Sequence, residues 1–336
     1  MTVNSVLSTP TTVDWPAWPT YGLEDDLLPR LEAWQRSGVT TAALATLVQI
    51  VGSSPRPLGS EMAVTADGRI AGYVSGGCVE GAVAAEAGEV ISSGRPKLLD
   101  YGAGSPVLDV QLTCGGRIAI LVRRLDDLGR HVAHRRAERR ARRDCWLDID
   151  LEHGSEHAVA AEAPGPRTGV FRQHYPAMAR LVLVGGDPIT LAVAQLAEQL
   201  GLEVGLLRPY GPSAPPPGVR LAFYDTRALA TALPAVVCDQ ATAIYSLTHD
   251  IDDDESVLLH GLASPAFRLG VLGSRRKADE RRARLIARGV PESEIARIDM
   301  PAGIDMAATN PREIALSIVA RVVAARPRAC PIAAFA

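Results

Sequence analysis

Residues 181–208 read LVLVGGDPITLAVAQLAEQLGLEVGLLR. Leu181–Val184 is an apolar run short enough for a buried strand, Gly185-Gly186 a tight turn, Pro188–Leu200 a helix, and Val204–Leu207 a second strand. The pattern continues with strands at Ala243–Leu247 and Leu269–Leu272, each followed by a helical stretch, which predicts a doubly wound parallel sheet. A last helix is expected over Pro311–Ala325, with Asn310 as its cap and Pro311 at the first helical position. Ligands of such sheets bind beyond the carboxyl ends of the strands. Thr248-His249-Asp250 with Asp254 follows one strand there, and Gly273-Ser274-Arg275 follows another, so His249, Asp254, Ser274 and Arg275 are candidate binding residues. The dinucleotide fingerprint itself fails. Counting from Gly185, Asp187 stands at the second glycine position and Thr190 at the third, and the second strand ends in Arg208 where a carboxylate grips ribose. NAD binding is therefore not expected, while Arg208 leaves room for a 2′-phosphate.

The amino-terminal half follows a different pattern. Glu24–Ser37 reads as a helix, with strands at Thr40–Val51, Met62–Val64, Ile70–Ser75, Lys97–Tyr101 and Arg117–Val122. Within it, Gly52–Glu80 packs two glycine turns around Arg56 and Cys78. Val79–Ile91 is expected to be helical, which puts Cys78 at a helix N-terminus, where unpaired N–H groups favour anions and the reactive thiolate form. Thr113-Cys114-Gly115-Gly116 echoes Gly76-Gly77-Cys78, and the two turns are expected to converge. Arg123–Arg143 is a charge run without interleaved aromatics, read as a solvated basic helix or linker face and not as a nucleic-acid platform. A hairpin at Trp146–Leu151 and His157–Ala161 and a linker at Ala163–Arg172 complete the stretch. The expected division is an arm at 1–21, a cysteine-bearing domain at 22–125, a basic helix, hairpin and linker at 126–176, and a Rossmann-like domain at 177–336. The fold class is α/β, a mixed α/β domain followed by a parallel-sheet domain.

With 336 residues and 47% hydrophobic content, the chain is long enough for two cores. A net charge of −3 gives no overall attraction to nucleic acid or to an anionic membrane. No run approaches the length of a membrane span, and the first residues lack the pattern of a signal peptide, so a cytoplasmic protein is expected. Five cysteines without CxxC spacing argue against a disulfide framework or a structural zinc site.

Gly52-Ser53-Ser54-Pro55-Arg56, Ser75-Gly76-Gly77-Cys78-Val79-Glu80 and Thr113-Cys114-Gly115-Gly116 in the first half form one set of motifs. Thr248-His249-Asp250 with Asp254, Gly270–Arg276, Pro301–Asp305 and Asn310–Ile318 form another in the second half. In these the chain resembles the XdhC/CoxI family of accessory proteins for molybdenum hydroxylases such as xanthine dehydrogenase, aldehyde oxidoreductase and CO dehydrogenase. The resemblance implies a carrier rather than a catalyst. It would bind molybdenum cofactor, as molybdopterin or its cytosine dinucleotide form, support its sulfuration with a cysteine desulfurase, and hand it to a hydroxylase subunit. Pairing into a homodimer is left open. On this reading Ser54, Arg56, Gly76, Gly77, Glu80 and Gly115 hold polar edges of the cofactor, and Cys78 and Cys114 lie near molybdenum. The alternatives are an NADP-dependent oxidoreductase and a cofactor-free assembly protein. The chain departs from the family's usual glycine turn at Gly185–Pro188 and from its usual acidic segment at Arg208-Pro209-Tyr210.

Overall fold

The computed structural model describes residues 15–105, 112 and 115–334. The chain divides into two compact units, residues 1–176 with 329–336, and residues 177–328.

In chain order the first unit contains α1 (Leu28–Arg36), β1 (Ala42–Val51), β2 (Glu61–Thr65), β3 (Ile70–Gly72), α2 (Glu80–Ser93), β4 (Lys97–Gly102) and β5 (Arg117–Leu125). It continues with α3 (Leu128–Arg140), β6 (Cys145–Asp150), β7 (Glu156–Val159) and β8 (Val170–Tyr175). Five of these strands make a sheet in the order β3-β2-β1-β5-β4, antiparallel throughout. The first seven residues of β1 are buried on both faces, so the strand reads as an apolar run broken only by Thr46, AALATLV, instead of alternating. One face packs on α2, where Val79, Val83, Ala84, Ala87 and Val90 meet Ala43, Ala45 and Leu47 of β1. Leu28, Leu31 and Trp34 of α1 and Leu128 and Val132 of α3 join Leu44, Ala63 and Leu125 in a second cluster. Val48 and Leu121 pack with Leu147, Ile149 and Phe171 of the next sheet in a third.

The second unit contains β9 (Arg180–Val184), α4 (Pro188–Gln199), β10 (Glu203–Leu207), β11 (Phe223–Asp225), α5 (Leu229–Ala232), β12 (Thr242–Ser246) and α6 (Ile251–Leu262). After these come β13 (Arg268–Val271), α7 (Arg275–Ala287), α8 (Glu292–Ile295), β14 (Ile298–Asp299) and α9 (Pro311–Ala325). Its six strands are parallel, in the order β11-β10-β9-β12-β13-β14. Numbered from its own first strand this is 3-2-1-4-5-6, the doubly wound dinucleotide-fold order, with the switch point between β9 and β12. The chain then returns to the first unit as β15 (Ile332–Ala334), which extends a four-stranded antiparallel sheet ordered β15-β8-β6-β7. Among the described residues, no helix is long and apolar enough to cross a membrane.

Two expectations are corrected. The helix and hairpin expected within 126–176 are α3 and β6-β7, but the linker expected at Ala163–Arg172 runs into β8, Val170–Tyr175, where Val-Phe-Arg-Gln-His-Tyr carries too many polar residues to read as a buried strand, and the whole stretch groups with the first unit. Those polar groups are met inside. Arg172 pairs bidentately with Asp148 at 2.6 and 2.8 Å, and Gln173 donates to the Gly59 carbonyl at 2.9 Å. Nor is the basic run solvated throughout: Arg130, Arg140 and Arg143 are exposed, but Arg123, His131 and Arg135 are buried. Arg123 Nη2 and His131 Nδ1 bond Glu156 at 2.7 and 2.9 Å, and the Arg135 guanidinium lies 3.7 Å over the Tyr175 ring. Burial pushes the Glu156 carboxyl up, but His131 and Arg123 outweigh it and hold it well below the ordinary carboxylate range.

Candidate functional site

In the first unit, the end of β1 and the start of β5 are neighbours, which places the loop after β1 beside Gly115-Gly116. The approach is close enough to require glycine. A Cβ on Gly116 would stand 1.9 Å from the Ser53 carbonyl oxygen. The same loop touches the turn after β3, since a Cβ on Gly76 would lie 3.4 Å from Pro55 Cγ. Three glycine-bearing loops thus gather at one end of the sheet, as the repeated motif suggested. Thr113 and Cys114 lie outside the described residues, so the pairing of Cys78 with Cys114 near a metal stays a proposal.

The turn that carries Cys78 is built around Glu80. The N–H groups of Val74, Ser75, Gly76, Gly77 and Val79 donate to its carboxylate at 3.1, 2.8, 3.2, 2.9 and 3.2 Å, and the Ser75 hydroxyl adds a sixth bond at 2.7 Å. Gly76 and Gly77, at φ +120° and +106°, supply the backbone angles that let consecutive N–H groups point at one carboxylate. This corrects the expected roles of three residues. Glu80 is buried and shapes the turn instead of facing a ligand, and the Gly76 and Gly77 N–H groups already serve an internal anion, so they are not an open phosphate seat. What the turn presents outward is Cys78, exposed, two residues before the first residue of α2.

Arg56 is more enclosed than its Pro/Gly surroundings suggest. Its guanidinium lies 4.3 Å over the Tyr73 ring, Nη1 meets the Tyr73 hydroxyl at 3.3 Å, and Nη2 pairs with Asp25 at 2.7 Å. Nε is buried without a partner. Asp25 is 72% exposed, so an incoming anion can replace it without opening the core. Ser54 Oγ donates to the Arg56 carbonyl at 2.9 Å and accepts from its N–H at 3.3 Å, which fixes the loop that carries Arg56.

In the second unit, the predicted residues lie on the carboxyl side of the parallel sheet but differ in character. His249 is exposed, with Nε2 3.5 Å from Asp187 Oδ2 across the switch point. Asp187 caps α4, accepting from the Thr190 N–H at 2.8 Å and the Thr190 hydroxyl at 2.7 Å, so a fixed carboxylate sits where this fold seats a pyrophosphate. Arg208 lies across the same turn: a Cβ on Gly186 would come within 2.4 Å of its Nε. Calorimetry with NAD is accordingly expected to show no binding at millimolar concentration; a micromolar Kd would contradict this. Asp254 requires correction. It is wholly buried and lines no surface, since Arg281, Ser246 and Thr248 take up its carboxylate. Ser274 caps α7, and Arg275, 86% exposed, pairs with Asp305 at 2.8 Å. Among the described residues, no three His, Cys, Asp or Glu side chains gather as a metal site.

Comparison with known proteins matches residues 181–322 to the XdhC Rossmann domain and residues 34–102 to the XdhC and CoxI family. The molybdenum cofactor insertion chaperone PaoD of Escherichia coli (strain K12) is 32% identical over 85% of this chain and 83% of its own. A protein of Bacillus subtilis (strain 168) described as a probable xanthine dehydrogenase subunit is 24% identical over 85% of this chain and 94% of its own. In fold, the crystal structure of a xanthine dehydrogenase from Bacillus halodurans is similar with a TM-score of 0.72 at 22% identity, covering 88% of this chain and 94% of that one. The chain belongs to the XdhC and CoxI family.

Proposed function

We propose that this protein binds a molybdenum cofactor and delivers it to a molybdenum hydroxylase subunit of the xanthine dehydrogenase, aldehyde oxidoreductase or CO dehydrogenase type. The observation that carries the reading is the pairing, on adjoining loops of the first unit, of an exposed thiol at Cys78 with an arginine whose Nε is buried and unmet. The relation to a cofactor insertion chaperone supports it. The residues suit the group: the cofactor is a phosphorylated pterin with a dithiolene-held metal, and an arginine and a soft sulfur are what such a molecule asks for. Arg56 would take the phosphate, exchanging Asp25 for it, while Ser54 and Gly115 keep the loops in place. Cys78 would stand near the metal, with Cys114, or carry sulfur received from a cysteine desulfurase. Within the second unit, His249, Ser274 and Arg275 are proposed as cofactor-binding residues. The protein acts as a carrier, without a catalytic residue of its own, and works in the cytoplasm, as a monomer or homodimer.

Arg56→Ala is expected to weaken cofactor retention about tenfold or more, the scale of one charge-assisted hydrogen bond. Loss of the stacking on Tyr73 adds a stability cost of about 1 kcal/mol. Cys78→Ala is expected to leave stability unchanged, because the side chain is exposed, and to lower sulfur loading. Cofactor content per chain after desalting, read beside urea unfolding, checks both. Retention equal to wild type in Arg56→Ala would remove Arg56 from the site.

A further inference from the structure

Helix α7 begins against the grain of its own dipole. Its first turn carries Arg275, Arg276 and Lys277 and no acidic residue, at the end where the unpaired N–H groups already concentrate positive charge. Ser274 offers its hydroxyl oxygen to the Lys277 N–H at a long 3.4 Å, so the cap is weakly made. Beneath this turn runs a buried cation. Arg281, further along α7, is 4% exposed and gives Nε and Nη2 to Asp254, while its Nη1 is buried and has no partner. That nitrogen is aimed at the turn: a Cβ on Gly273 would stand 2.5 Å from it. Glycine is what leaves the approach open there.

We propose that the turn between β13 and α7 binds the phosphate group of a small phosphorylated molecule, seated on the α7 N-terminus with Gly273 and Ser274 at its floor and Arg281 below. Asp305, which now pairs with Arg275 at an exposed position, is the internal anion that phosphate displaces. The site lies within the second unit and deepens the cofactor reading at Ser274 and Arg275; binding of phosphate that pterin does not displace would sustain the seat while that reading of the two residues fails.

The test is calorimetric titration of the full chain with inorganic phosphate at constant ionic strength, beside Tm measured with and without phosphate. One binding site and a rise in Tm are expected. Ser274→Asp supplies a helix cap at least as good, so its Tm without phosphate should not fall below wild type, but its carboxylate occupies the seat and should weaken binding about tenfold or more. Arg275→Glu, at an exposed position that cannot disturb the core, should weaken binding in the same direction. Competition then identifies the source: displacement by a nucleoside monophosphate assigns a nucleotide, and displacement by a phosphorylated pterin alone assigns the cofactor. Displacement by neither, no phosphate binding at about 10 mM, or undiminished binding in both variants would overturn the proposal.

Discussion

Asp254→Ala is expected to destabilise the second unit by about 3–5 kcal/mol, the usual cost of leaving a buried charge without its partner. The Asp254 carboxylate accepts from Arg281 Nε at 2.9 Å, Ser246 Oγ at 2.6 Å and Thr248 Oγ1 at 2.8 Å, and neither it nor Arg281 reaches solvent. Removing it strands a guanidinium that already has one unmet nitrogen. Asp254→Asn keeps the shape and one acceptor oxygen, so it should fall between wild type and Asp254→Ala. Urea unfolding followed by circular dichroism reads the difference. A loss under about 1 kcal/mol would contradict the buried pairing and mean that the carboxylate is hydrated, as at an exposed ion pair.

Glu80→Gln is expected to cost about 3 kcal/mol, because a carboxamide turns two N–H donors toward a ring of donors that the carboxylate satisfied. The effect has a pH signature. Burial raises the Glu80 carboxyl, but the Ser75 hydroxyl and the Ser75 and Gly76 N–H groups outweigh it and hold it below its ordinary value of 4.5. A group depressed on folding contributes fully above its unfolded value and loses that contribution as pH falls through the folded one. Wild type should therefore lead Glu80→Gln by its full margin above pH 4.5 and by a shrinking margin in more acid solution. A margin that does not change with pH would mean that the carboxylate charge is not what folds the turn.

The second unit was legible because its strands are buried on both faces and so appear as apolar runs, and because Asn310-Pro311 announces α9, whose bounds match the reading. Its short edge strands were not. Phe223–Asp225 and Ile298–Asp299 are three and two residues long, held by pairing to a neighbour that no local pattern reveals. The basic run misled because its countercharges come from far along the chain. Asp26 and Glu156 lie on either side of α3 in sequence, and Arg135 and Arg139 meet Asp26 more than a hundred residues away. At the candidate site, the convergence of the glycine loops was readable from the repeated motif, whereas the use of each polar group was not. Glu80 looks like a ligand in Gly-Gly-Cys-Val-Glu until five N–H groups are seen to fold back onto it. Arg281 went unnoticed for the converse reason. In an arginine-rich helix nothing marks the one arginine that turns inward with Ala278 and Leu285.

The central claim, that this chain carries molybdenum cofactor, is tested most directly by purifying it without oxygen, releasing any bound pterin by oxidation and measuring its fluorescence per chain. Oxidised pterin, retained through desalting, is expected from wild type, and markedly less from Arg56→Ala. Pterin-free protein that still co-purifies with a hydroxylase subunit would contradict it and leave an assembly protein that works without the cofactor.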